Sequence, residues 1–193
     1  MFDYNGNSYY MNACIITIGN ELLDGTRLDT NSQWIAKKIA KYNIITDKVI
    51  SVGDNNKKIC NEIKDCIDKY KFIFITGGLG PTHDDITLDA FQEVFNLKSS
   101  LDLEYLKKLN KAFQDRNMVM PEINQGQALI LENTKVLNNP VGTARGLYYS
   151  YSESNFFIMP GVPSEMYQMI EKEIIPSYLN DQINNNYKII RTS

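Results

Sequence analysis

The stretch of sequence that decides the fold is FIFITGGLGPTHDDIT, residues 72–87. Its first five residues are apolar apart from the closing threonine, which is typical of a strand buried on both faces of a sheet. Three glycines follow within four positions, and two aspartates come shortly after them. Ligands of open α/β sheets bind at the carboxyl ends of strands, where such turns lead into helices. The stretch therefore predicts a buried strand, an anion-binding turn and the start of a helix.

The flanking sequence repeats this order of elements. ACIITIG, residues 13–19, predicts another buried strand, and Ile44–Val52 a further one. Helical spacing of apolar residues from Trp34 to Tyr42 and from Ile59 to Ile67 predicts two helices between these strands. Alternating strands and helices with right-handed crossovers imply an α/β fold with helices on both faces of a mainly parallel sheet. Later strand candidates are residues 128–131, 147–151 and 155–159, and helices are expected at 102–116 and after Pro163.

The bulk composition bounds the class of protein. A chain of 193 residues suits one domain, and its net charge of −3 offers no general attraction to nucleic acid. Its longest apolar runs are too short to span a bilayer. Residues 1–10 lack the basic and apolar regions of a secretory signal, and the three cysteines form no C-x-x-C pair. We expect a cytoplasmic protein with no membrane or nucleic-acid partner, in which residues 1–12 are a leader.

The glycine turn carries the chemistry. Glycines let backbone amides approach an anion closely, and a helix N-terminus adds partial positive charge. The adjacent carboxylates of Asp84 and Asp85 repel each other unless a cation intervenes, and Mg²⁺ prefers such oxygens together with substrate phosphate. Glu21 and Asp54 follow neighbouring strands, so we expect them at the same edge of the sheet. The alternative is a plain glycine turn whose aspartates cap the following helix.

Two other loops and one histidine are candidates. NPVGTARG, residues 139–146, carries an amide, a hydroxyl and an arginine, although its composition also suits a surface turn. MPGVPSEM, residues 159–166, leaves a strand and opens a helix, so Ser164 is either part of a second anion site or a helix cap. His83 is the only histidine, which excludes a site with several histidine ligands, and its place in the glycine turn makes it a candidate ligand contact.

Six ordered motifs together resemble one family. They are IGNELLDG with the following DTN, VGD at 52–54, TGGLGPTHDDIT, MPEINQGQA at 120–128, NPVGTARG and MPGVPSEM. From about residue 13 onward the sequence resembles the CinA-like branch of the molybdopterin-binding domains, whose relatives include MogA and MoaB. The resemblance implies a three-layer α/β/α fold for residues 13–180. It also implies that residues 181–193 begin a small following subdomain.

The resemblance implies a function as well. Its CinA branch suggests a metal-dependent pyrophosphatase, using Mg²⁺ or Co²⁺, that splits ADP-ribose or a related dinucleotide such as FAD. The alternative is a molybdopterin or nucleotide binding module without hydrolysis, and a third possibility is an oligomerisation scaffold. Family resemblance also suggests a homo-oligomer.

The site residues expected on these grounds fall into three sets. Asp84, Asp85 and Glu21 are the expected catalytic residues, and Asp84, Asp85 and Asp54 the expected metal ligands. The expected substrate-binding residues are Thr76, Gly77, Gly78, Gly80, Thr82, His83, Asn139, Gly142, Thr143, Arg145 and Ser164. One of them departs from the family pattern, because family members usually carry proline where Arg145 stands. An arginine there leaves the identity of the substrate open.

Overall fold

The computed structural model describes residues 11–80 and 86–180. Its strands are β1 (Met11–Ile18), β2 (Ile44–Val52), β3 (Phe72–Thr76), β4 (Ser99–Leu101), β5 (Leu129–Leu131), β6 (Lys135–Leu137), β7 (Gly146–Tyr151) and β8 (Ser154–Met159). Its helices are α1 (Asn20–Leu23), α2 (Thr30–Ile39), α3 (Asn56–Cys66), α4 (Thr87–Phe95), α5 (Leu103–Gln114) and α6 (Pro163–Met169). Helix α6 continues as a π-helical segment, Ile170–Leu179, and short 3₁₀ turns cover Ala40–Tyr42 and Glu122–Ala128.

Six strands form the main sheet, in the order β2-β1-β3-β8-β7-β6. Strands β2, β1, β3 and β8 are parallel, whereas β7 and β6 add to the sheet in antiparallel fashion. Every residue of β3 is buried, as its apolar run predicts. The expected α/β fold with a mainly parallel sheet is therefore confirmed.

Helices cover both faces of this sheet and create two apolar cores. Along β1, Cys14 and Ile16 face one core with α3 and α4, whereas Ala13 and Ile15 face the other with α2 and α6. Successive side chains of a strand point to opposite faces, so a strand between two helical layers is apolar at nearly every position. This is why ACIITI shows no alternation of polar and apolar residues.

The helix starts follow their capping residues. The Asp29 carboxylate accepts the Ser32 amide at 2.9 Å and caps the N-terminus of α2. Asn43 ends the same helical region with a φ of 59°, in the left-handed region that asparagine tolerates. The following strand begins one residue later, so β2 has the predicted bounds.

Two short strands were not predicted. β4 pairs antiparallel with β5 in a separate two-stranded sheet, and β6 forms the outer edge of the main sheet. Each has three residues, too few for an apolar period to be read from sequence. The strand predicted at 128–131 is present as β5, but it belongs to the small sheet and not to the main one.

The expected leader and the expected following subdomain lie almost wholly outside the described residues, and the predicted domain bounds stay predictions. None of the helices that the structure describes is both long and apolar enough to cross a membrane.

Candidate functional site

The carboxyl ends of the four parallel strands meet at one edge of the sheet and enclose a cleft of about 520 Å³, which we call the main cleft. The turns after β1, β2, β3 and β8 all contribute to its walls, together with the loop before β7 and the 3₁₀ turn before β5. It is lined by Ile18, Gly19, Glu21, Arg27, Asp54, Gly77, Gly78, Leu79, Gly80, Asn124, Gln127, Thr143, Ala144, Pro160, Gly161, Val162 and Glu165. The predicted convergence of Glu21, Asp54 and the glycine turn is thus present.

Two glycines allow the turn after β3 to pass close to its neighbours. Gly77 and Gly78 have φ angles of 109° and 64°, which side chains rarely adopt. A Cβ on Gly77 would overlap the backbone carbonyl of Ile18, and one on Gly78 would overlap the Thr87 hydroxyl. The buried Thr87 also donates from its hydroxyl to the Gly77 carbonyl at 2.8 Å and from its amide to the Gly78 carbonyl at 3.1 Å. The turn is therefore fixed by the start of α4.

A second set of hydrogen bonds joins the turn after β3 to the turn after β8. The hydroxyl of Thr76 is buried and donates to the Pro160 carbonyl at 2.8 Å. The side-chain amide of Asn31 donates to the Thr76 hydroxyl at 3.3 Å and to the Gly161 carbonyl at 2.9 Å. Thr76 thus acts within the wall, and it borders a neighbouring cavity of about 340 Å³ rather than the main cleft.

Three carboxylates and one arginine give the main cleft an acidic lining. Glu21 lies 3.8 Å from the Arg27 guanidinium, and both side chains are substantially exposed. Asp54 accepts the Asn20 amide at 2.9 Å and donates its own amide to the Asn20 side chain at 3.1 Å, which pins the ends of β1 and β2 together. Glu165, from the first turn of α6, supplies the third carboxylate.

The loop at residues 139–144 is organised by Asn139. Its side-chain amide donates to the Ala144 carbonyl at 2.9 Å and to the Glu165 carboxylate at 2.6 Å. Its side-chain oxygen accepts the amides of Gly142 at 2.9 Å and Val141 at 3.2 Å. Because these bonds use both amide hydrogens and the oxygen of Asn139, the residue shapes the wall that carries Thr143 and positions Glu165.

Arg145 connects this loop to α5. Its guanidinium donates to the Asp102 carboxylate at 2.7 Å and lies 3.7 Å from the centre of the Tyr105 ring. The Tyr105 hydroxyl donates in turn to the Thr143 carbonyl at 2.7 Å. The Asp102 carboxylate also accepts the Tyr105 amide and caps α5. This backbone hydrogen bond, followed by the bond from Arg145, lowers the pKa of Asp102.

The expected site residues therefore divide into several groups. Those that line the main cleft are Glu21, Asp54, Gly77, Gly78, Gly80 and Thr143. Thr76 and Asn139 hold the walls, Gly142 lies against the Glu165 carboxylate, and Arg145 lines a separate cavity of about 210 Å³. Ser164 is exposed and borders none of these three cavities. Thr82, His83, Asp84 and Asp85 lie outside the described residues, so their roles stay predictions.

Four polar residues of the main cleft were not predicted: Arg27, Asn124, Gln127 and Glu165. Asn124 and Gln127 belong to the MPEINQGQA sequence, whose spacing alone predicts no role for either residue. Glu165 is adjacent to the predicted Ser164, and the first turn of α6 directs the glutamate rather than the serine to the cleft.

Comparison with known proteins shows which family the chain belongs to. The family model described as "Probable molybdopterin binding domain" matches residues 14–180. A relative from Oceanobacillus iheyensis, whose name describes it as competence-damage inducible, is 38% identical over 164 residues, covering 85% of this chain and 39% of the relative. A CinA-like protein from Flavobacterium psychrophilum is 37% identical over 170 residues, covering 88% of this chain and 41% of the relative. The chain thus spans about two fifths of the length of these relatives.

Solved structures agree on the fold. A protein titled CinA with unknown function, from Thermoplasma acidophilum, superposes with a TM-score of 0.77 and 28% identity, covering 85% of this chain and 96% of that one. A molybdopterin biosynthesis protein from Mycobacterium abscessus gives a TM-score of 0.58 at 13% identity, covering 93% of this chain and 96% of that one. The second likeness concerns the fold alone.

Replacing Gly77 tests the close approach in the glycine turn. We expect Gly77→Ala to lower the free energy of unfolding by about 2 kcal/mol or more, because it adds a positive-φ penalty and an overlap with backbone that cannot move away freely. Gly126→Ala is the matched control, since an added Cβ there meets nothing within 4 Å. Urea unfolding followed by circular dichroism measures both, and equal stability of the two variants would contradict the assignment.

Replacing Asp102 tests its ion pair with Arg145. We expect Asp102→Asn to lower stability at neutral pH by roughly 1 to 2 kcal/mol, because a charge-assisted hydrogen bond is lost while asparagine can still cap the helix. The folded-state pKa of Asp102 lies below the unfolded value of about 3.9. Its contribution is therefore fully present above that value and is lost as the pH falls through the folded-state pKa.

Urea unfolding between neutral pH and acidic pH measures this dependence. The difference in stability between the wild type and Asp102→Asn should be largest near neutrality and should shrink in the acid range. A difference that stays constant across that range would show that the carboxylate charge contributes nothing.

Proposed function

The chain belongs to the molybdopterin-binding-domain family, in its CinA-like branch, and on that premise we propose that it binds a phosphate-bearing pterin or nucleotide in the main cleft. The observation that carries the proposal is the turn of Gly77 and Gly78, which presents backbone without side chains at the carboxyl end of the central strands. The Gly77 amide donates to the Met159 carbonyl at 3.1 Å, so the main-chain amides that follow Gly77 are the ones offered to an anion, and such amides act even in a protein of net negative charge.

The lining of the main cleft supports a small polar ligand. Asn124, Gln127 and Thr143 add amides and a hydroxyl around the glycine turn, and Arg27 adds a cation at the rim. A volume of about 520 Å³ lies within the roughly 300–1,000 Å³ of pockets that enclose small molecules. A binding module of this kind needs no catalytic group, and the family description names binding only.

Calorimetric titration tests the binding. We expect the protein to bind pyrophosphate and ADP-ribose, in the presence of Mg²⁺, and to gain thermal stability with rising ligand concentration. Arg27→Ala should weaken the binding of both about tenfold, as expected for one lost charge-assisted hydrogen bond. The exposed Arg116, two residues beyond the end of α5 and outside the lining of the main cleft, gives the control variant Arg116→Ala, which should bind like the wild type. If neither pyrophosphate nor ADP-ribose binds, the proposal is overturned and the domain is better explained as a scaffold.

A second candidate function is hydrolysis of a dinucleotide diphosphate such as ADP-ribose or FAD. The observation that favours it is the acidic lining, because Glu21, Asp54 and Glu165 surround a cradle suited to an anion. Carboxylates beside a diphosphate repel it unless a cation lies between them, and Mg²⁺ or Co²⁺ would supply that charge. A bound divalent metal also stabilises the charge that develops during attack on phosphorus.

The described residues only partly fit such a metal. Glu21 and Asp54 offer carboxylate oxygens of the type that Mg²⁺ prefers. Residues 11–80 and 86–180, however, contain no group of three or more His, Cys, Asp or Glu side chains that could hold a metal ion. Hydrolysis would therefore also require Asp84 or Asp85, and we assign no catalytic step to the described residues.

Product analysis separates hydrolysis from binding. If the protein is a hydrolase, AMP should appear from ADP-ribose only with Mg²⁺ or Co²⁺, and both Asp54→Asn and Asp85→Ala should reduce the rate at least tenfold. Asp54→Asn keeps an oxygen that can accept the Asn20 amide, so the fold of this edge should persist. Ligand binding by the wild type without any metal-dependent product would identify a binding module.

A further inference from the structure

The Glu165 carboxylate of the main cleft is held in one position by two residues of the loop before β7. The side-chain amide of Asn139 donates to its Oε2 at 2.6 Å. A Cβ at Gly142 would overlap all three atoms of the carboxylate, which therefore rests directly against the backbone of that residue. Gly142 does not have a positive φ, so its lack of a side chain serves this contact and not a special backbone angle.

Most of the hydrogen-bonding capacity of this carboxylate is unused. An ionised carboxylate has about four acceptor positions, and Asn139 occupies one of them. Within residues 11–80 and 86–180, Oε1 of Glu165 accepts no hydrogen bond, and it is not one of the buried atoms that lack a partner. An unpaired oxygen that is not buried is open to solvent, and the main cleft is the cavity that Glu165 lines. The carboxylate is therefore available to a ligand as an acceptor of more than one hydrogen bond.

The ligand group beside Glu165 must donate hydrogen bonds. An ionised phosphate offers no proton and is repelled by the carboxylate, so the phosphate belongs at the glycine turn. Glu165 is part of no cluster of three or more His, Cys, Asp or Glu side chains in the described part of the chain, which makes a metal ion a poor partner for it. Hydroxyl or N–H groups of the ligand remain.

The lining of the main cleft favours sugar hydroxyls over the N–H groups of a flat ring. None of the described residues that line it has an aromatic side chain, whereas bound heterocycles commonly stack on aromatic rings. Its polar groups are instead the amides of Asn124 and Gln127 and the hydroxyl of Thr143, which can both donate to and accept from hydroxyls. A carboxylate that accepts a ribose hydroxyl is also a recurrent feature of dinucleotide-binding α/β folds.

Glu165 is close enough to the glycine turn for one ligand to reach both. A Cβ on Gly161 would lie 3.2 Å from the Cα of Gly77, so the turns after β3 and β8 touch each other. Glu165 follows in the first turn of α6, where its amide donates to the Val162 carbonyl at 3.1 Å. In a nucleotide only a methylene and an oxygen separate the ribose ring from the first phosphorus. A phosphate on the glycine turn therefore brings the ribose to this wall of the cleft.

We propose that Glu165 is a specificity-determining residue that accepts hydrogen bonds from the vicinal hydroxyls of a ribose, so that the main cleft selects ribonucleotides among phosphate-bearing ligands. This inference rests on the proposed function, because the glycine turn must bind the phosphate of the same ligand. Asn139 and Gly142 are positioning residues, since they fix the carboxylate that meets the sugar.

Calorimetric titration of the whole protein with Mg²⁺ tests the inference with four probes: ADP, 2′-deoxy-ADP, 3′-deoxy-ADP and pyrophosphate. The three nucleotides share the base and the diphosphate and differ only in their hydroxyls. ADP should bind about tenfold more tightly than either deoxynucleotide, as expected for one lost charge-assisted hydrogen bond. Equal affinities for the three nucleotides would overturn the inference, and binding of pyrophosphate would then leave the proposed function standing. Failure of all four probes to bind would overturn the proposed function itself.

Two variants assign the preference to Glu165. Glu165→Gln keeps an oxygen for Asn139 but replaces the other oxygen by a donor, so ADP affinity should fall to that of the deoxynucleotides while pyrophosphate affinity does not fall. Gly142→Ala keeps the charge but displaces the carboxylate, so the preference should shrink in this variant as well. The matched control is Glu104→Gln, at an exposed acidic residue in the first turn of α5 and outside the lining of the main cleft, in which the preference should persist. A tenfold preference for ADP that survives in Glu165→Gln would overturn the assignment.

Discussion

The close approach of Gly77 to the carbonyl of Ile18 is the constraint on which the functional edge depends. It requires a residue without a Cβ at the exit of β3, and it brings the ends of β1 and β3 together. Thr87 then fixes the same turn from the far side, because its hydroxyl and amide bond to the carbonyls of Gly77 and Gly78. The turn is thus held at both ends by buried groups, and a ligand meets a preformed surface with little conformational entropy left to lose.

Much of this arrangement could be predicted from sequence, because it follows from local signals. The apolar run of β3 predicts a strand covered on both faces, and the glycines after it predict the turn. Parallel strands end at one edge, so Glu21 and Asp54 were expected beside that turn, and both line the main cleft. These inferences need only the spacing of residues within about ten positions and the rule that parallel strands end at the same edge of a sheet.

The remainder depends on contacts between distant residues, which spacing does not reveal. Arg145 pairs with Asp102, 43 positions away, and this turns an expected ligand contact into a buried partner of α5. Asn139 reaches Glu165 across 26 positions and so orders its own loop. Glu165 lines the cleft and the adjacent Ser164 does not. Which of two neighbouring residues faces the cleft depends on the rotation of α6 about its axis, and predicting that a helix is present does not fix this rotation. Strands of three residues, β4 and β6, carry no readable period at all.

The same long-range contacts join Arg145 to the wall of the main cleft. Tyr105 stacks on Arg145 and holds the carbonyl of Thr143, which belongs to the cleft wall. A change in the position of Arg145 would therefore act on the loop that also carries Thr143 and, through Asn139, on Glu165. The main cleft and the cavity of about 210 Å³ beside Arg145 share the backbone of residues 78–80 as a common wall. The contacts of Arg145 and Tyr105 connect the same two spaces through side chains. The walls of the main cleft therefore belong to one connected network, because the turn after β3 and the Arg145–Asp102 ion pair both resist independent movement.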